Sequence, residues 1–347
     1  MNVSIGMNLQ SGAWGGGNQF GRALSQYLLD HGHRVSHDLS ERDLDIILLA
    51  EPDARLKISA YDHRAILRYL LQKNKNAIVV HRINNTSEAR DDEKKKFNKF
   101  RIYANQIADH TVFVSQWVKE RYEEAGFAAK RPVSVILNGS DNRLWSPGPA
   151  KKTPGKRFKL VTHHWSNHWN KGFDVYHELD QLLAHPGWAS RLTMTYIGRV
   201  PSDFHFVEVR HVQPLSGVAL AEELRQHDAY ITASRFESGG HHNLEAGLCG
   251  LPLLYLNSGA MAEYCQGFGI EYTLETLEEK LEEMLATWPH WVGRMADFPH
   301  TADAMCQRYL DLFSELLANR DDVLARRRWF KRIPWMVSAM MKSSRPA

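Results

Sequence analysis

The stretch AYITASRFESGGHHNLEAGLCGLPLLYLN, residues 229–257, contains a β-α-β unit. Its apolar ends, AYITAS and LPLLYLN, are typical of buried strands, and NLEAGLCG between them is expected to begin a helix. A helical crossover between two strands predicts that the strands are parallel. The loop after the first strand therefore opens at the carboxyl edge of the sheet, where ligands bind in open α/β folds.

Comparable segments fill the rest of the chain. Short apolar runs alternate with amphipathic ones in the first part of the chain: VSIGMNL, FGRALSQYLLDHG, DIILLA, YDHRAILRYLLQKN, AIVVHRIN, HTVFVS and VSVILN. Residues 143–157 then form a stretch rich in proline, glycine and lysine that resembles a linker. A second series then leads to the unit quoted above: KLVTHHW, FDVYHELDQLLAH, LTMTYIG and LAEELRQHD. The sequence predicts an α/β protein with two doubly wound, Rossmann-like domains that face each other across a cleft. We place the first domain, expected on the acceptor side, at 1–147, the second domain, expected to bind the donor, at 157–310 and a helical tail at 311–347.

Composition narrows the classes of function. The 347 residues, 43% of them hydrophobic, are enough for two cores, and the near balance of 43 basic and 40 acidic residues disfavours nucleic acid as a partner. Three scattered cysteines fit neither a disulfide framework nor a zinc site and indicate a reducing compartment. No run reaches the ~18 apolar residues of a membrane span, and the first residues lack a signal-peptide pattern. We expect a cytoplasmic protein.

Two carboxylates, Glu237 and Glu245, stand eight positions apart in the quoted stretch. With a helix that begins near Asn243, Glu237 lies on the loop and Glu245 in the first helical turn. N–H groups at that helix start can bind a phosphate, and the carboxylates can accept hydrogen bonds from sugar and ribose hydroxyls. These features favour a nucleotide-sugar site that includes the residues between the acids: Gly239, Gly240, His241, His242, Asn243 and Leu244. For Glu245 alone, the alternative is an acid that stabilises the helix dipole.

A second loop follows KLVTHHW and reads SNHWNKGFD, in which Lys171 and a glycine precede an amphipathic helix. An ammonium group beside a helix start suits phosphate oxygens. His163, His164 and His168 come before this lysine, but no carboxylate or cysteine stands near them with metal-ligand spacing. We therefore expect a phosphate contact here and no metal site.

Two loops of the first domain are further candidates for ligand binding. In NLQSGAWGGGNQFGRAL, glycines at a helix start let a ligand approach the backbone: Gly15, Gly16 and Gly17. A tight turn without a ligand is the alternative, and a dehydrogenase is disfavoured because Phe20 occupies the last glycine position of the dinucleotide fingerprint. After the strand AIVV, four polar side chains are expected to face the cleft: His81, Arg82, Asn84 and Asn85. We expect the last three to lie on the acceptor side of the site. A hydrogen-bonded histidine and a surface arginine are the alternative there.

These motifs together resemble the family 4 glycosyltransferases, which have the GT-B fold and transfer a sugar from a nucleotide donor with retention of anomeric configuration. The stretch from Glu237 to Glu245 is similar to the family's E-x7-E element, NKGFD to its Lys-Gly element, GGGNQFGRAL to its opening loop, and VILNGSDNRLWSP to the segment that leaves its first domain. The resemblance implies that Glu237 contacts the donor sugar, Glu245 the ribose and Lys171 the diphosphate. It also implies that His81 lies beside the donor sugar and that a C-terminal helix crosses back to the first domain.

One position departs from the family pattern. The family carries an arginine five or six residues before the lysine, whereas this chain has Trp165 and Ser166 there. Arg199, after the strand LTMTYIG, and Arg235 are the candidates to replace that cation. The resemblance implies that fixed cations and helix N-termini stabilise the leaving diphosphate, without a metal ion or other cofactor. The Asp-x-Asp triplet at 43–45 precedes the run IILLA, at the strand end that lies away from the cleft.

The resemblance thus implies a metal-independent, retaining glycosyltransferase of the hexosyltransferase kind. We expect its substrates to be a nucleotide sugar and a saccharide or lipid-linked saccharide acceptor, in the synthesis of cell-envelope polysaccharide or glycolipid. Two alternatives stay open: a catalytically inactive GT-B protein that binds nucleotide, and a GT-B nucleotide-sugar epimerase.

The tail ARRRWFKRIPWMVSAMMKSSRPA, residues 325–347, interleaves basic with aromatic and aliphatic side chains and contains no acidic residue. Basic residues attract anionic lipid, and Trp and Phe favour the headgroup boundary, so 326–345 is a candidate for peripheral membrane binding. The alternative is that the tail packs on the first domain and buries the same aromatic residues.

Overall fold

The computed structural model describes residues 1–10, 16–90, 94–128, 132–149, 153–327 and 334–337. These residues form two compact units. Unit 1 contains the described residues from Met1 to Leu137 and those from Ala302 onward, and unit 2 contains the described residues from Asn138 to Thr301.

Unit 1 is built on a six-stranded parallel sheet with the strand order β2-β1-β3-β4-β5-β6. Its strands are β1 (Asn2–Ile5), β2 (Arg34–Ser36), β3 (Ile46–Leu49), β4 (Ile78–Ile83), β5 (His110–Phe113) and β6 (Val133–Val135). The four central strands are buried at every residue, as expected for a parallel sheet covered on both faces. Its helices are α1 (Gly16–Asp30), α2 (His63–Gln72), α3 (Lys96–Ala104), α4 (Gln116–Glu124), α11 (Ala302–Ala318) and α12 (Arg320–Ala325).

Unit 2 repeats this architecture with the strand order β12-β11-β10-β7-β8-β9, again parallel throughout. Its strands are β7 (Phe158–His164), β8 (Leu192–Gly198), β9 (Arg210–Val212), β10 (Ala229–Thr232), β11 (Leu253–Leu256) and β12 (Gly269–Tyr272). Its helices are α5 (Phe173–Leu183), α6 (Pro186–Ala189), α7 (Gly217–Arg225), α8 (His241–Leu248), α9 (Met261–Cys265) and α10 (Leu277–Met295). The loops after β7 and β10 are neighbours because these two strands pair directly.

Helix α11 belongs to unit 1 although it follows unit 2 in the chain. Its apolar face packs on α1, where the rings of Tyr309 and Phe20 lie 5.2 Å apart and Phe313 and Leu24 join the same core. Burial of these side chains draws the C-terminal helix onto the first sheet. The expected return of a C-terminal helix to the first domain is confirmed.

The boundaries of the units differ from those expected from the sequence, which are 1–147 and 157–310. Residues 138–149 lie in unit 2, where Trp145 is buried and the Arg225 guanidinium donates to the carbonyl oxygens of Ser146 (2.7 Å) and Leu144 (2.9 Å). Residues 302–310 lie in unit 1 as the first half of α11. Proline and glycine predict a break in secondary structure, but such side-chain contacts decide which core a segment joins.

The tail is tied to unit 1 by two of its described residues. The buried Arg327 guanidinium donates from Nε to Asp109 Oδ1 (2.8 Å) and from Nη2 to Asp109 Oδ2 (2.7 Å), and it also donates to the carbonyl oxygens of Lys75 and Ala77. Trp335 is buried against Tyr103, whose carbonyl oxygen accepts from Nε1 (3.2 Å). The other basic tail residues, apart from the exposed Arg326, lie outside the described residues: Arg328, Lys331, Arg332, Lys342 and Arg345.

Two further features bear on the expectations from sequence. Asp43 and Asp45 lie just before β3, at its amino end, and contact Arg34 and Arg320 respectively. Among the helices of the described ranges, none combines the length and the apolar character needed to cross a membrane.

Candidate active site

Lys171 ends a short 3₁₀ turn, Trp169–Lys171, between β7 and α5. Gly172 follows with φ +87°, and a Cβ atom there would lie 2.3 Å from Ala233 Cβ and 2.4 Å from Ala233 O. Only glycine fits this close approach of the two loops. A hydrogen bond from the Arg235 N–H to Asn170 O (2.7 Å) also joins the two loops.

This contact between the loops brings the predicted lysine and the first predicted acid together. Lys171 Nζ lies 2.8 Å from Glu237 Oε2, and their side chains are 24% and 18% exposed. Burial alone would raise the pKa of Glu237, but its surroundings lower the pKa to about 2, and the Lys171 ammonium is the largest cause of that decrease. Glu237 is therefore a carboxylate at neutral pH, held beside a cation that is still partly open to solvent.

The backbone around Glu237 is fixed from the other side by the loop after β11. The Ala260 N–H donates to Glu237 O (2.7 Å), and the Phe236 N–H donates to Ser258 Oγ (3.0 Å). These contacts hold Phe236 at φ +52°, a left-handed conformation that costs a bulky residue about 1–3 kcal/mol. Strain of this kind, next to an ionised carboxylate, is typical of functional sites.

Gly239 and Gly240 come directly before α8, and other residues surround them closely. A Cβ atom on Gly239 would lie 2.7 Å from Tyr264 Oη, and one on Gly240 would lie 2.5 Å from His242 Cε1. The Asn138 side-chain amide donates to Gly239 O (2.9 Å). Neighbouring protein atoms thus leave no room for a larger side chain at either glycine. The first N–H groups of α8 follow directly after this loop.

Helix α8 begins at His241, two residues earlier than expected, because Gly240 is the residue that takes the extended N-cap conformation. The prediction that Glu245 lies in the first turn is therefore wrong: it is the fifth residue of the helix. Its carboxylate is buried, with Oε2 2.9 Å from His163 Nε2. The predicted ribose contact of Glu245 stays a prediction.

His163 is one of three buried histidines near Glu245, with His164 and His242. His163 and His164 end β7, and the His164 ring lies 4.9 Å from that of His242. His164 Nε2 lies 2.7 Å from Tyr176 Oη, and His242 Nε2 lies 2.9 Å from Thr232 Oγ1. Burial lowers the pKa of His242 to about 3, so its ring is neutral. No group of three or more His, Cys, Asp or Glu side chains among the described residues is arranged to hold a metal ion.

The other predicted residues of α8 contact neighbouring residues of unit 2. His241 is half-buried, with Nδ1 3.1 Å from Ser140 Oγ. Asn243 and Leu244 are fully buried, and the Asn243 amide donates to Cys265 Sγ (3.6 Å). These two side chains pack inside unit 2, so that a ligand at the helix start would meet their backbone.

The two candidates for the missing arginine differ in their surroundings. Arg235 pairs with Asp174 in the first turn of α5, with Nη1 2.8 Å from Oδ1. This pair fastens the loops to each other. Arg199 is exposed directly after β8, and its carbonyl oxygen accepts from Tyr196 Oη (2.9 Å).

In unit 1 the strand β4 continues to Ile83, so the prediction that His81 and Arg82 follow the strand is wrong. Pairing with β5 extends the strand through both residues. His81 is fully buried, with Nδ1 2.8 Å from Asn105 Oδ1, and burial lowers its pKa to about 3. The buried Arg82 guanidinium stacks on Phe20 at 3.8 Å.

The loop after β4 therefore contains only the second half of the predicted group. Asn84 and Asn85 are half-buried there, and Asn85 O accepts from Tyr122 Oη (3.1 Å). Gly16 and Gly17 are the first two residues of α1, while Gly15 lies outside the described residues.

Sequence reasoning missed two parts of the site. It set the histidines aside because their spacing did not suit a metal, and so did not find that His163 contacts Glu245. It also gave no role to the aromatic residues beside Lys171 and Glu237. Two histidines at the end of a buried strand and an aromatic residue directly before the acid were the available signals.

No protein-family model matches this sequence, and comparison with curated proteins gives no match either. Many solved structures do match the fold. Sucrose-phosphate synthase from Thermosynechococcus elongatus is 13% identical with a TM-score of 0.65, covering 92% of this chain and 100% of its own. The lipopolysaccharide outer core galactosyltransferase WaaB is 14% identical with a TM-score of 0.63, covering 91% and 100%.

HepE from Anabaena, solved in complex with UDP-glucose, is 15% identical with a TM-score of 0.57 and covers 96% of this chain and 99% of its own. Against two larger matched chains, this chain spans 54% and 58% of their length. Together with the two six-stranded parallel sheets, these likenesses show that the chain has the GT-B fold, as expected from the sequence.

Proposed function

We propose that this protein is a retaining glycosyltransferase that moves a sugar from a nucleotide donor to a saccharide or lipid-linked saccharide acceptor, in the synthesis of cell-envelope polysaccharide or glycolipid. The observation that carries the proposal is the contact of Lys171 with Glu237, where the loops after β7 and β10 meet beside the start of α8. A fixed cation, an ionised carboxylate and a helix start are suited to a sugar linked through a diphosphate.

In the proposed complex, Lys171 and the first N–H groups of α8 bind the diphosphate. Glu237 accepts hydrogen bonds from hydroxyls of the transferred sugar, a role that suits a carboxylate with a pKa of about 2. Arg199 is the remaining candidate for a second cation, because Arg235 is paired with Asp174. The ribose contact of Glu245 and the donor contact of Gly16 and Gly17 are further parts of the proposal. So are the place of His81 beside the donor sugar and the acceptor-side role of the loop residues Arg82, Asn84 and Asn85.

The proposed reaction exchanges one bond at the anomeric carbon for another. The bond from that carbon to the phosphate oxygen breaks, and the acceptor oxygen forms a new bond on the same face of the sugar. The acceptor hydroxyl gives its proton to the departing phosphate oxygen, so no enzyme nucleophile is required. Lys171 and the helix N–H groups stabilise the negative charge that develops on the diphosphate.

The proposal assigns this charge stabilisation to fixed groups of the protein, without a metal ion or other cofactor. Lys171 supplies a full positive charge next to the start of α8, which supplies a partial one. Activity that survives a chelator supports this assignment. Loss of activity with chelator and recovery with magnesium or manganese contradicts it.

The named structural neighbours support the general class of reaction. HepE was solved with UDP-glucose, and WaaB is named as a galactosyltransferase of the lipopolysaccharide outer core. A catalytically inactive protein of the same fold would bind nucleotide but release no sugar from a donor. A nucleotide-sugar epimerase would turn over its donor equally well with and without an acceptor.

The direct test of the proposal is a thermal-shift screen against UDP, GDP, ADP and their sugars, followed by assay of sugar release from the donor that binds. A ligand that binds only the folded state raises the melting temperature by mass action. Lack of any shift across the panel contradicts nucleotide-sugar binding.

The Lys171→Met variant should release sugar at least ~10²-fold more slowly, because one preorganised electrostatic donor is lost from the transition state. Lys159→Met is the matched control, since Lys159 is exposed within β7 of the same unit. A Lys171→Met rate within a factor of three of the control would remove the lysine from the mechanism.

Cytoplasmic location and attachment to an anionic membrane through 326–345 are the last part of the proposal. Arg327 and Trp335 are buried in unit 1, so attachment would use other residues of the tail. Flotation of the full chain with vesicles that contain anionic lipid, at low salt, tests this. Recovery of the protein only in the soluble fraction would contradict membrane binding.

A further inference from the structure

Three aromatic side chains are exposed in the part of the chain that the structure describes: Trp165, Trp169 and Phe236, with exposed fractions of 43%, 49% and 40%. All three lie in the two loops that carry Lys171 and Glu237. The other described Phe, Trp and Tyr side chains are buried or half-buried. Exposed apolar side chains in two loops that contact each other favour an interaction site, and these are the loops of the candidate active site.

The backbones of the two loops meet next to two of these residues. Asn170, which follows Trp169, accepts through its carbonyl oxygen from the Arg235 N–H (2.7 Å), and Arg235 precedes Phe236. The Trp169 ring packs edge-on against Phe173 (5.9 Å) and Phe204 (6.2 Å). It is thus supported by the core on one side while half of its surface stays open to a ligand.

Phe236 is exposed even though its backbone is strained. Its φ of +52° is maintained by the hydrogen bond to Ser258 and by the pairing of Glu237 with Gly259. Asparagine or glycine would take this conformation more readily. A phenylalanine at such a position therefore indicates that the ring itself is used, directly before the carboxylate of the site.

The residues between the two tryptophans are polar and exposed. The segment reads Trp-Ser-Asn-His-Trp, and Ser166, Asn167 and His168, which lie between the two tryptophans in the sequence, are exposed and have hydrogen-bonding side chains. Pyranose rings combine the same two characters, with apolar C–H groups on their faces and hydroxyl groups around their edge. A lipid chain would match only the rings, and an anionic polymer would match neither.

We infer that Trp165, Trp169 and Phe236 form the surface of unit 2 on which a pyranose ring of the acceptor saccharide stacks. This inference rests on the proposed function and deepens it, because it assigns acceptor recognition to the same loops that hold the donor. The apolar face of the acceptor ring lies against the aromatic rings, and its hydroxyls are met by the polar residues between them.

Saturation-transfer NMR on the full chain, with UDP present, tests the inference. The probes are the methyl pyranosides of glucose, galactose, mannose and N-acetylglucosamine, because the acceptor is not identified. We expect saturation of the C–H protons on one ring face of at least one probe. Trp165→Ala, Trp169→Ala and Phe236→Gly should each weaken its apparent dissociation constant about 2- to 10-fold, the range for loss of one aromatic contact.

Phe236→Gly is chosen because glycine accepts the left-handed backbone, so that only the ring is lost. Leu274→Ala is the control, since Leu274 is 42% exposed in the same unit and outside the site. UDP affinity should be the same in all four variants, and their melting curves should show that each is folded.

The other outcomes overturn the inference. Absence of saturation for every pyranoside contradicts it, and UDP binding in the same sample shows that the proposed nucleotide site survives. Loss of UDP affinity in the aromatic variants would mean that the rings stack on the nucleobase instead. If Leu274→Ala weakened pyranoside binding as much as the aromatic variants do, the effect would not be specific to the three aromatic residues. Failure of the wild type to bind any nucleotide contradicts the proposed function itself.

Discussion

Glu237 keeps its charge in a site that is largely shielded from water because the Lys171 ammonium lies 2.8 Å away. A carboxyl group with a pKa of about 2 does not donate a proton at neutral pH, so Glu237 is unsuited to the role of general acid. The sign of its effect on stability follows from the same shift. The pair stabilises the fold above the unfolded pKa of about 4.5, and this contribution is lost as the pH falls towards 2.

The buried contact of Glu245 with His163 makes a role in stability and a role in binding separable. Glu245→Gln keeps a hydrogen-bonding side chain of the same shape beside His163 Nε2 but removes the charge. If Glu245 binds the ribose, UDP affinity should fall by about 1–3 kcal/mol, as for other charged hydrogen bonds lost from a shielded site. Isothermal titration of UDP into the folded variant measures this.

The comparison variant for this prediction is His163→Leu, which keeps the Glu245 carboxyl group and removes its contact with the His163 ring. It should lower the free energy of unfolding and affect UDP binding only indirectly. Unchanged UDP affinity in Glu245→Gln would reduce Glu245 to a structural partner of His163.

At the scale of elements, the site depends on how closely the loops after β7 and β10 approach. Gly172→Ala would place a Cβ atom 2.3 Å from Ala233 Cβ and force alanine to φ +87°. We expect the free energy of unfolding to fall by about 2–4 kcal/mol, from overpacking and from the left-handed backbone. Lys171 and Glu237 would also separate, so that the sugar release proposed for this site should fall with stability.

Urea unfolding of this variant is compared with that of Gly187→Ala. Gly187 is in α6 of the same unit, and a Cβ atom there would meet no other atom within 4 Å. Its substitution should change stability little or raise it slightly, because alanine has the higher helix propensity. Equal effects of the two variants would show that the loop contact at Gly172 is unimportant.

The same scale shows what the sequence could predict. Alternating apolar and amphipathic segments were sufficient for both sheets and for their parallel order, because burial on both faces leaves continuous apolar runs. The ends of elements were less certain. Strand β4 includes His81 and Arg82 because a neighbouring strand pairs with them, and α8 starts at His241 because Gly240 takes the N-cap conformation.

Part of the site could also be predicted from the sequence. Lys171 and Glu237 belong to loops after adjacent strands, so their proximity followed from the topology. The partner of Glu245 did not, since His163 lies 82 residues earlier in the chain and only packing decides that they meet. Long-range side-chain pairs of this kind leave no periodic signal in a sequence.

On the scale of the whole molecule, buried histidines make both units sensitive to acid. Burial is the main cause that lowers the pKa of five of them: His63, His81, His110, His164 and His242. The unfolded chain takes up protons first as the pH falls below about 6.5, so stability decreases there. Each of these histidines should lower the free energy of unfolding by about 1 kcal/mol between pH 7 and pH 5.5. Urea unfolding at both pH values measures this.

His63 offers the matched test of this pH dependence. Its ring is buried beside Tyr103 and Trp335, and neither ring nitrogen has a hydrogen-bond partner among the described residues. His63→Phe should make the decrease between pH 7 and pH 5.5 smaller by about 1 kcal/mol, because one proton fewer is taken up on unfolding. An unchanged pH dependence would show that His63 is not held neutral in the folded state.

The tail joins the first sheet through a buried ion pair. Arg327 is buried with Asp109, and the same carboxylate accepts from the Val79 N–H (2.9 Å) at the start of β4. Arg327→Ala would leave that carboxylate without its cation, and we expect a loss of about 3–5 kcal/mol in the free energy of unfolding, measured in urea. Arg326→Ala is the control, since the neighbouring Arg326 is exposed and its loss should stay within about 0.5 kcal/mol. Equal, small effects of both substitutions would mean that the tail is held by other contacts. A large effect of Arg327→Ala alone makes this residue part of the unit 1 core, and it then has no charge to offer to a membrane.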